Sequence, residues 1–314
     1  MENMPTVSIT VVVFNSATCV RSCLRSLRDE VQSGYAEVLV VDNASPDESA
    51  EIVEREFPEA RLIKSDSNRK FAGGCNLSWP FVRGRYWLLL NPDAVVPPNG
   101  LRELVKWMEQ HPQLGAASPK LVDKQGRDQC AGRRFQSISR SLLEMSRLHL
   151  LLPQRTRANL FLGSYWNGSD HTNVDWVPGA ALIARREAVE DAGLLSEEVL
   201  FYGEDSEWCW RIRNAGWRIG VCGQVSFEHE EGQSTSRTWD EDDRRRRMWL
   251  GIYDASRHMR GAFYPRLLMA INTLGFAIEA ANPRRSTDQR SESWKRVRAH
   301  VSLLKDGSIG HQRS

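Results

Sequence analysis

The chain has 314 residues, 41% of them hydrophobic and 26% charged, which suits one large α/β domain or a domain with an appendage. Its net charge of +2 creates no whole-molecule field of the kind that draws a protein to nucleic acid. Six scattered cysteines (Cys19, Cys23, Cys75, Cys130, Cys209 and Cys222) include no CxxC pair and read as the reduced thiols of a cytoplasmic protein.

Val7 to Phe14 is an almost wholly apolar, β-branched run, the pattern of a buried first strand. Residues 15–18 end it and offer capping side chains to a helix that carries Val20, Leu24, Leu27 and Val31. Glu37 to Val41 is a second buried strand and runs into Asp42 and Asn43. Ser45 to Glu48 spells a capping box with proline at the first helical position. Ile52, Val53 and Phe57 give that helix its apolar side, and Arg61 to Ile63 is a short third strand. Phe71 to Asn76 opens another helix, which Pro80 should kink or delay. Tyr86 to Leu90 is five consecutive apolar residues, a strand buried on both faces, and Pro92 forces the chain out of the sheet just beyond it. Four alternations of strand and helix with short connections predict an α/β fold built on a parallel, doubly wound sheet.

Beyond Asp93, Leu101, Leu104, Val105 and Met108 mark an amphipathic helix. Residues 113–175 read as an insertion with a short helix over 139–152. Trp176 to Ala184 is a tight turn into a strand, and residues 187–192 form a short helix capped by Gly193. Glu204 and Asp205 lead into a helix over 206–213, then come strands at 217–221 and 225–229. A helical C-terminal appendage with a loose basic tail is expected from about residue 240, dividing the chain into units 1–238 and 239–314.

Ligands of open α/β sheets lie outside the carboxyl ends of the strands, so the acids there carry the interest. Asp93 is placed for a hard cation beside a phosphate, or simply ends a turn. Asp42 can accept from a base N–H or a ribose hydroxyl, or cap a helix. Gly73 and Gly74 allow a ligand close to the backbone. GxGxxG after the first strand and a Walker A sequence are both absent, which argues against a nicotinamide cofactor and a P-loop NTPase. Asp205 is either a general base or a charge complementing its helix dipole. His229 with Asp93 makes an N/O ligand pair, or is structural.

In order along the chain, residues 12–15, 41–45, 71–76, 90–93, 177–180, 201–205 with 208–211, and 229–234 resemble the motifs of the inverting family 2 glycosyltransferases, particularly the bacterial rhamnosyltransferase-like branch. The resemblance covers about residues 7–235. It implies a GT-A fold, Rossmann-like with flanking helices, a nucleotide-sugar donor and a divalent cation, Mg²⁺ or Mn²⁺. Carried over by position, Val13, Phe14, Asn15, Asp42, Asn43, Gly73, Gly74, Asn76, Asn91 and Asp93 would bind the donor. Asp93, His229 and Asn91 would hold the cation, with Asn91 standing where the family has the first acid of its Asp-x-Asp motif. Asp205 would be the catalytic base with Glu204 beside it, and Trp176, Gly179 and Ala180 would shape the acceptor site. The branch favours dTDP-rhamnose, with UDP- and GDP-sugars as alternatives, and a glycan or lipid-linked acceptor in cell-surface polysaccharide assembly. An inactive nucleotide-sugar-binding module on the same fold is the rival reading.

Arginines interleave with aromatic residues between Arg244 and Arg266. That pattern suits either a helix lying on an anionic membrane or a solvated face with a packing or homodimer helix. No signal-peptide pattern begins the sequence and no apolar run reaches about 18 residues. The expected place is the cytoplasm, peripheral to the inner face of the plasma membrane.

Overall fold

The structure, a computed structural model, describes residues 4–166, 168–199, 202–230 and 241–305. The chain opens β1 (Val7–Val13), α1 (Val20–Gln32), β2 (Ala36–Asp42), α2 (Ser49–Glu56), β3 (Arg61–Lys64), α3 (Lys70–Ser78) and β4 (Tyr86–Leu90). β5 (Ala94–Val95), α4 (Gly100–Gln110), β6 (Leu114–Val122), α5 (Ile138–Met145), α6 (Gln154–Phe161) and β7 (His171–Val174) follow. Next come β8 (Ala181–Arg185), α7 (Arg186–Ala192), α8 (Glu204–Asn214) and β9 (Arg218–His229), then α9 (Glu241–Arg260), α10 (Phe263–Ala281) and α11 (Thr287–Lys305).

Among the described residues, nine strands make one sheet in the order β3-β2-β1-β4-β8-β6-β9-β5, with β7 added on β9. The first four are parallel, as their unbroken apolar runs predict. The second half departs from a purely parallel sheet. β8 runs antiparallel between β4 and β6, and the short β5 runs antiparallel on β9. Residues 218–229 form one strand where two are expected, bridged by a register shift against β6. The core fills both faces of this sheet. Trp87 of β4 donates its indole N–H to Thr10 (2.8 Å), and its ring meets that of Trp208 of α8 edge-on at 5.7 Å. A buried indole with its N–H satisfied thereby fixes α8 over the centre of the sheet.

Three local expectations shift. The 45–48 signal acts one turn later: α2 begins at Ser49, whose backbone N–H is held by Asp47 at 3.2 Å. Pro80 stops α3, which passes into a short 3₁₀ turn over Trp79–Phe81. The described part of the basic tail is a helix, α11, because Val297, His300 and Leu303 are buried. His300 shares a 2.8 Å hydrogen bond with Tyr253 of α9. Tyr253, Leu268, Met269 and Leu303 form a small core of their own beside the sheet. No helix among the described residues is long and apolar enough to cross a membrane. Phe201, Glu231, Gly232, Gln233 and Ser234 of the expected motifs lie outside the described residues.

Candidate active site

A cavity of about 1080 Å³ opens at the carboxyl ends of the central strands, between the sheet and α9. The loops that enclose it are built from backbone conformations seldom adopted outside glycine. Asn15 (φ 54°), Ala44 (φ 59°) and Lys70 (φ 60°) all stand in the left-handed region, at about 1 kcal/mol or more each. Asn43 latches two of these loops together. Its amide donates to Asn68 (3.1 Å) and to the Lys70 carbonyl (2.9 Å), and its oxygen accepts the Arg69 N–H (2.9 Å). Lys70 and Phe71 reach the cavity from that latch.

Of the residues expected to bind the donor, Phe14, Asn43, Asn91 and Asp93 line the cavity. Val13, Asn15, Asp42, Gly73, Gly74 and Asn76 are outside its lining. Asp42 is buried, and its carboxylate accepts the Ser45 N–H at 3.2 Å. The glycines and Asn76 are taken up by packing. A Cβ on Gly74 would stand 2.7 Å from Val12, and one on Gly73 would stand 2.7 Å from Arg69. The Asn76 amide donates to the Leu195 carbonyl (2.9 Å) and to Glu197 (3.1 Å).

Asn91, Asp93 and His229 meet although 138 positions separate the first from the last. The cause is β5, in which Ala94 pairs with His229 at the end of β9. His229 Nε2 lies 3.3 Å from the Asn91 amide and 3.5 Å from Asp93 Oδ1. Gln129 grips the histidine twice: its N–H₂ donates to the His229 carbonyl, and its oxygen faces Nδ1, both at 2.9 Å. A carbonyl only accepts, so the amide orientation is fixed and Nδ1 carries the proton. The Nε2 lone pair then faces the cavity beside a buried carboxylate oxygen. An imidazole nitrogen oriented this way next to a carboxylate is a fitting half of a Mg²⁺ or Mn²⁺ site. No group of three or more His, Cys, Asp or Glu able to hold a metal occurs among the described residues, so phosphate oxygens and water would complete the shell.

Glu204 and Asp205 head α8. Asp205 Oδ2 accepts the Gly179 N–H at 3.1 Å and Oδ1 accepts the Ser206 N–H at 2.7 Å. Glu204 accepts the Gly203 N–H at 2.9 Å. Burial raises the Asp205 carboxyl above the ordinary carboxylate range, against these amides and the nearby Arg133. Burial and the Asp205 charge push Glu204 up further. Trp176, Gly179 and Ala180 line the same region, and the Ala180 carbonyl accepts the Asn91 N–H at 2.9 Å. A raised carboxylate and a cation-type pair therefore share one cavity.

The family model for glycosyl transferase family 2 matches residues 8–165, just over half of this chain. The chain belongs to glycosyl transferase family 2. The low-salt glycan biosynthesis hexosyltransferase Agl10 of Haloferax volcanii is 26% identical to this family 2 chain over 216 residues, 65% of this chain and 62% of that protein. The N-acetylglucosaminyl-diphospho-decaprenol L-rhamnosyltransferase of Mycobacterium tuberculosis is 24% identical over 214 residues, 64% of this chain and 68% of that one. The match thus spans roughly two thirds of each relative's length. Among solved structures, the mannosyltransferase PcManGT from Pyrobaculum calidifontis, in complex with GDP-Man and Mn²⁺, is similar with a TM-score of 0.61 at 17% identity. That likeness covers 98% of this chain and 88% of that one. The fold is GT-A, as the motifs imply.

Two features of this family 2 site escaped the sequence reading. Gln129 lies 100 positions from His229, in a loop with no motif to mark it. Arg133, with Arg244, Arg245, Arg247 and Arg260 of α9, also lines the cavity. The sequence pattern of the α9 arginines suits a membrane face or a solvated face with a packing or homodimer helix, and does not mark them as cavity residues. Only the packing of α9 onto α8 turns part of that face inward.

Proposed function

We propose that the protein is an inverting, divalent-cation-dependent glycosyltransferase, moving a sugar from a nucleotide-sugar donor to a hydroxyl of a glycan or lipid-linked acceptor. The observation that carries this reading is the convergence of Asp93 and His229 with the half-buried Asp205 in one cavity. Phe14 and Asn43 would border the nucleoside, with Asp42 behind them positioning the loop. Asp93, His229 and the Asn91 amide would hold Mg²⁺ or Mn²⁺, which when bound offsets the charge growing on the leaving diphosphate. The acceptor oxygen forms its bond to the anomeric carbon as the bond to the diphosphate breaks. Asp205 takes the hydroxyl proton as a general base, and its raised affinity for protons suits that task. One displacement inverts the anomeric carbon. Trp176, Gly179 and Ala180 would seat the acceptor.

The likeness to the mycobacterial N-acetylglucosaminyl-diphospho-decaprenol L-rhamnosyltransferase supports rhamnose as the sugar and a lipid-linked diphosphate sugar as the acceptor. dTDP-rhamnose in cell-surface polysaccharide assembly is therefore the donor and setting we favour. Residues 1–238 would form the catalytic unit, and 239–314 an appendage that closes the cavity and meets the inner face of the plasma membrane.

The test is a thermal-shift screen of dTDP, UDP and GDP with and without Mn²⁺, on wild type, Asp93→Ala and Asp205→Asn. One nucleoside diphosphate should stabilise wild type by about 2–3 kcal/mol at a hundredfold excess over Kd. That gain should need both Mn²⁺ and Asp93, and should survive in Asp205→Asn. A folded protein that ignores all three nucleotides sinks the reading.

A further inference from the structure

Past Asp205 the cavity continues onto α9. Arg244, Met248, Ile252, Met259 and Arg260 all line it, and at 100° per residue they fall within a single arc of the helix. On the sheet side Arg133 lines the same region, its guanidinium 5.3 Å from the ring centroid of Trp176. Arg133 is also near enough to Asp205 to act on its charge.

These cations differ from their neighbours. Arg134 is tied to Asp175 at 3.1 Å and to the Asn173 carbonyl at 2.8 Å. Among the described residues Arg133, Arg244 and Arg260 have no ion pair with a carboxylate, and Arg260 only donates to the Tyr264 hydroxyl at 3.2 Å. A guanidinium stacked on an aromatic ring keeps its donors free and oriented, the arrangement suited to phosphate. Between the cations, Met248, Ile252 and Met259 form an apolar strip. The wall therefore offers anion binding and apolar contact on residues other than the Asp93–His229 pair.

We propose that this wall binds an alkyl- or prenyl-linked diphosphate, the acceptor's anchor, with Arg133, Arg244 and Arg260 on the phosphates and Met248, Ile252 and Met259 along the first carbons of the chain. It deepens the transferase reading and rests on it for the role of Asp205. The donor diphosphate belongs to the Asp93–His229 pair, so the two anions occupy separate sites. The arginines that charge patterning alone assigns to a lipid surface serve, in part, the substrate that such a surface delivers.

The full chain should be titrated calorimetrically with farnesyl diphosphate, inorganic pyrophosphate and farnesol, with and without saturating dTDP and Mn²⁺. Farnesyl diphosphate should bind without displacing the nucleotide, and more tightly than pyrophosphate or farnesol. Arg133→Ala should weaken farnesyl diphosphate and pyrophosphate about tenfold, the loss of one charge-assisted contact, with dTDP affinity unchanged. The Met248→Ser/Ile252→Ser double variant should weaken farnesyl diphosphate about tenfold and spare pyrophosphate. Farnesyl diphosphate that competes with dTDP would place the arginines on the donor, and a parallel loss of dTDP in Arg133→Ala would do the same. Absence of farnesyl diphosphate binding in a protein that binds dTDP overturns the proposal while leaving the transferase reading intact. If no nucleotide binds, the nucleotide-free titration decides it: farnesyl diphosphate affinity must still fall in Arg133→Ala.

Discussion

Glu204 is a carboxyl enclosed by protein, held by backbone amides including that of Gly203 and set beside a second acid. Its protonation is favoured in the folded state, so across the window above the ordinary glutamate range the folded protein keeps a proton that the unfolded chain has lost. More protons bound in the native state means that stability falls as pH rises through that window. Glu204→Gln keeps an oxygen for the Gly203 N–H and removes the titration. The variant should match wild type at about pH 4, where both states are protonated. It should be more stable at about pH 8, by an amount on the order of 2 kcal/mol. Calorimetric melts across that range check it, and a difference independent of pH would rule out the cause. At this scale the sequence showed residue types more readily than their meetings. Asp205 and Glu204 were visible because an acid pair at a strand-to-helix junction is a local pattern. The meeting of His229 with Asp93 is expected from their residue types and the motif resemblance, but what brings it about is β5, a strand of two residues, which no periodicity can reveal. Gln129 was invisible because it lies in a loop with no motif and its partner stands at the end of a strand 100 positions away.

At the level of elements, the seating of α9 decides whether the cavity has a far wall. Gly203, just before α8, lies against Gly251 of α9: a Cβ there would stand 2.4 Å from the Gly251 carbonyl oxygen and 3.1 Å from the Ala255 Cβ. Its φ of −119° is open to any residue, so the glycine is there for room. The obstacle is backbone, which cannot swing aside as a flexible side chain would. Gly203→Ala should therefore cost about 1–3 kcal/mol and lower the melting midpoint by several degrees, with nucleoside diphosphate binding at the Asp93–His229 pair retained. An unchanged midpoint would mean that α9 is not seated on this contact. The parallel strands were legible because burial on both faces writes itself as an unbroken apolar run. α11 was not, since Ser- and Arg-rich composition hides the few residues, Val297, His300 and Leu303, that anchor it.

Over the whole molecule, charge and apolar exposure gather in the same place. Residues 241–305 hold 14 Lys and Arg against 7 Asp and Glu, a local excess of +7 in a chain whose total is only +2. On α10, Phe263, Leu267, Leu274 and Ile278 are 74%, 39%, 54% and 51% exposed, and at 100° per residue they fall within an arc of about 60°. α5 packs alongside α10, with its first residue bonded to the Tyr264 hydroxyl and Met145 against Gly275. Beyond α5, Leu148, Leu150 and Leu151 are also exposed. An apolar stripe on a basic helical unit is the composition of a surface that lies in the headgroup region of an anionic bilayer. A membrane is favoured over a second copy of the chain because a facing copy would bring its own +7 against this one. The full chain should co-sediment with vesicles containing about one third anionic lipid at low salt, and less with neutral vesicles, as counterions screen the attraction within about 10 Å at 0.1 M. Phe263→Ser with Leu274→Ser removes two side chains worth about 1.5–3 kcal/mol each when fully buried. Partial insertion would still make the loss of partitioning tenfold or more, with the melting midpoint unchanged because both residues face outward. Wild type that stays in the supernatant at low salt would end the membrane reading. A prenyl diphosphate would then have to reach the cavity wall of α9 from solution or on a carrier. The farnesyl diphosphate titration is independent of that result, since the wall and the stripe lie on different helices and are probed by different variants.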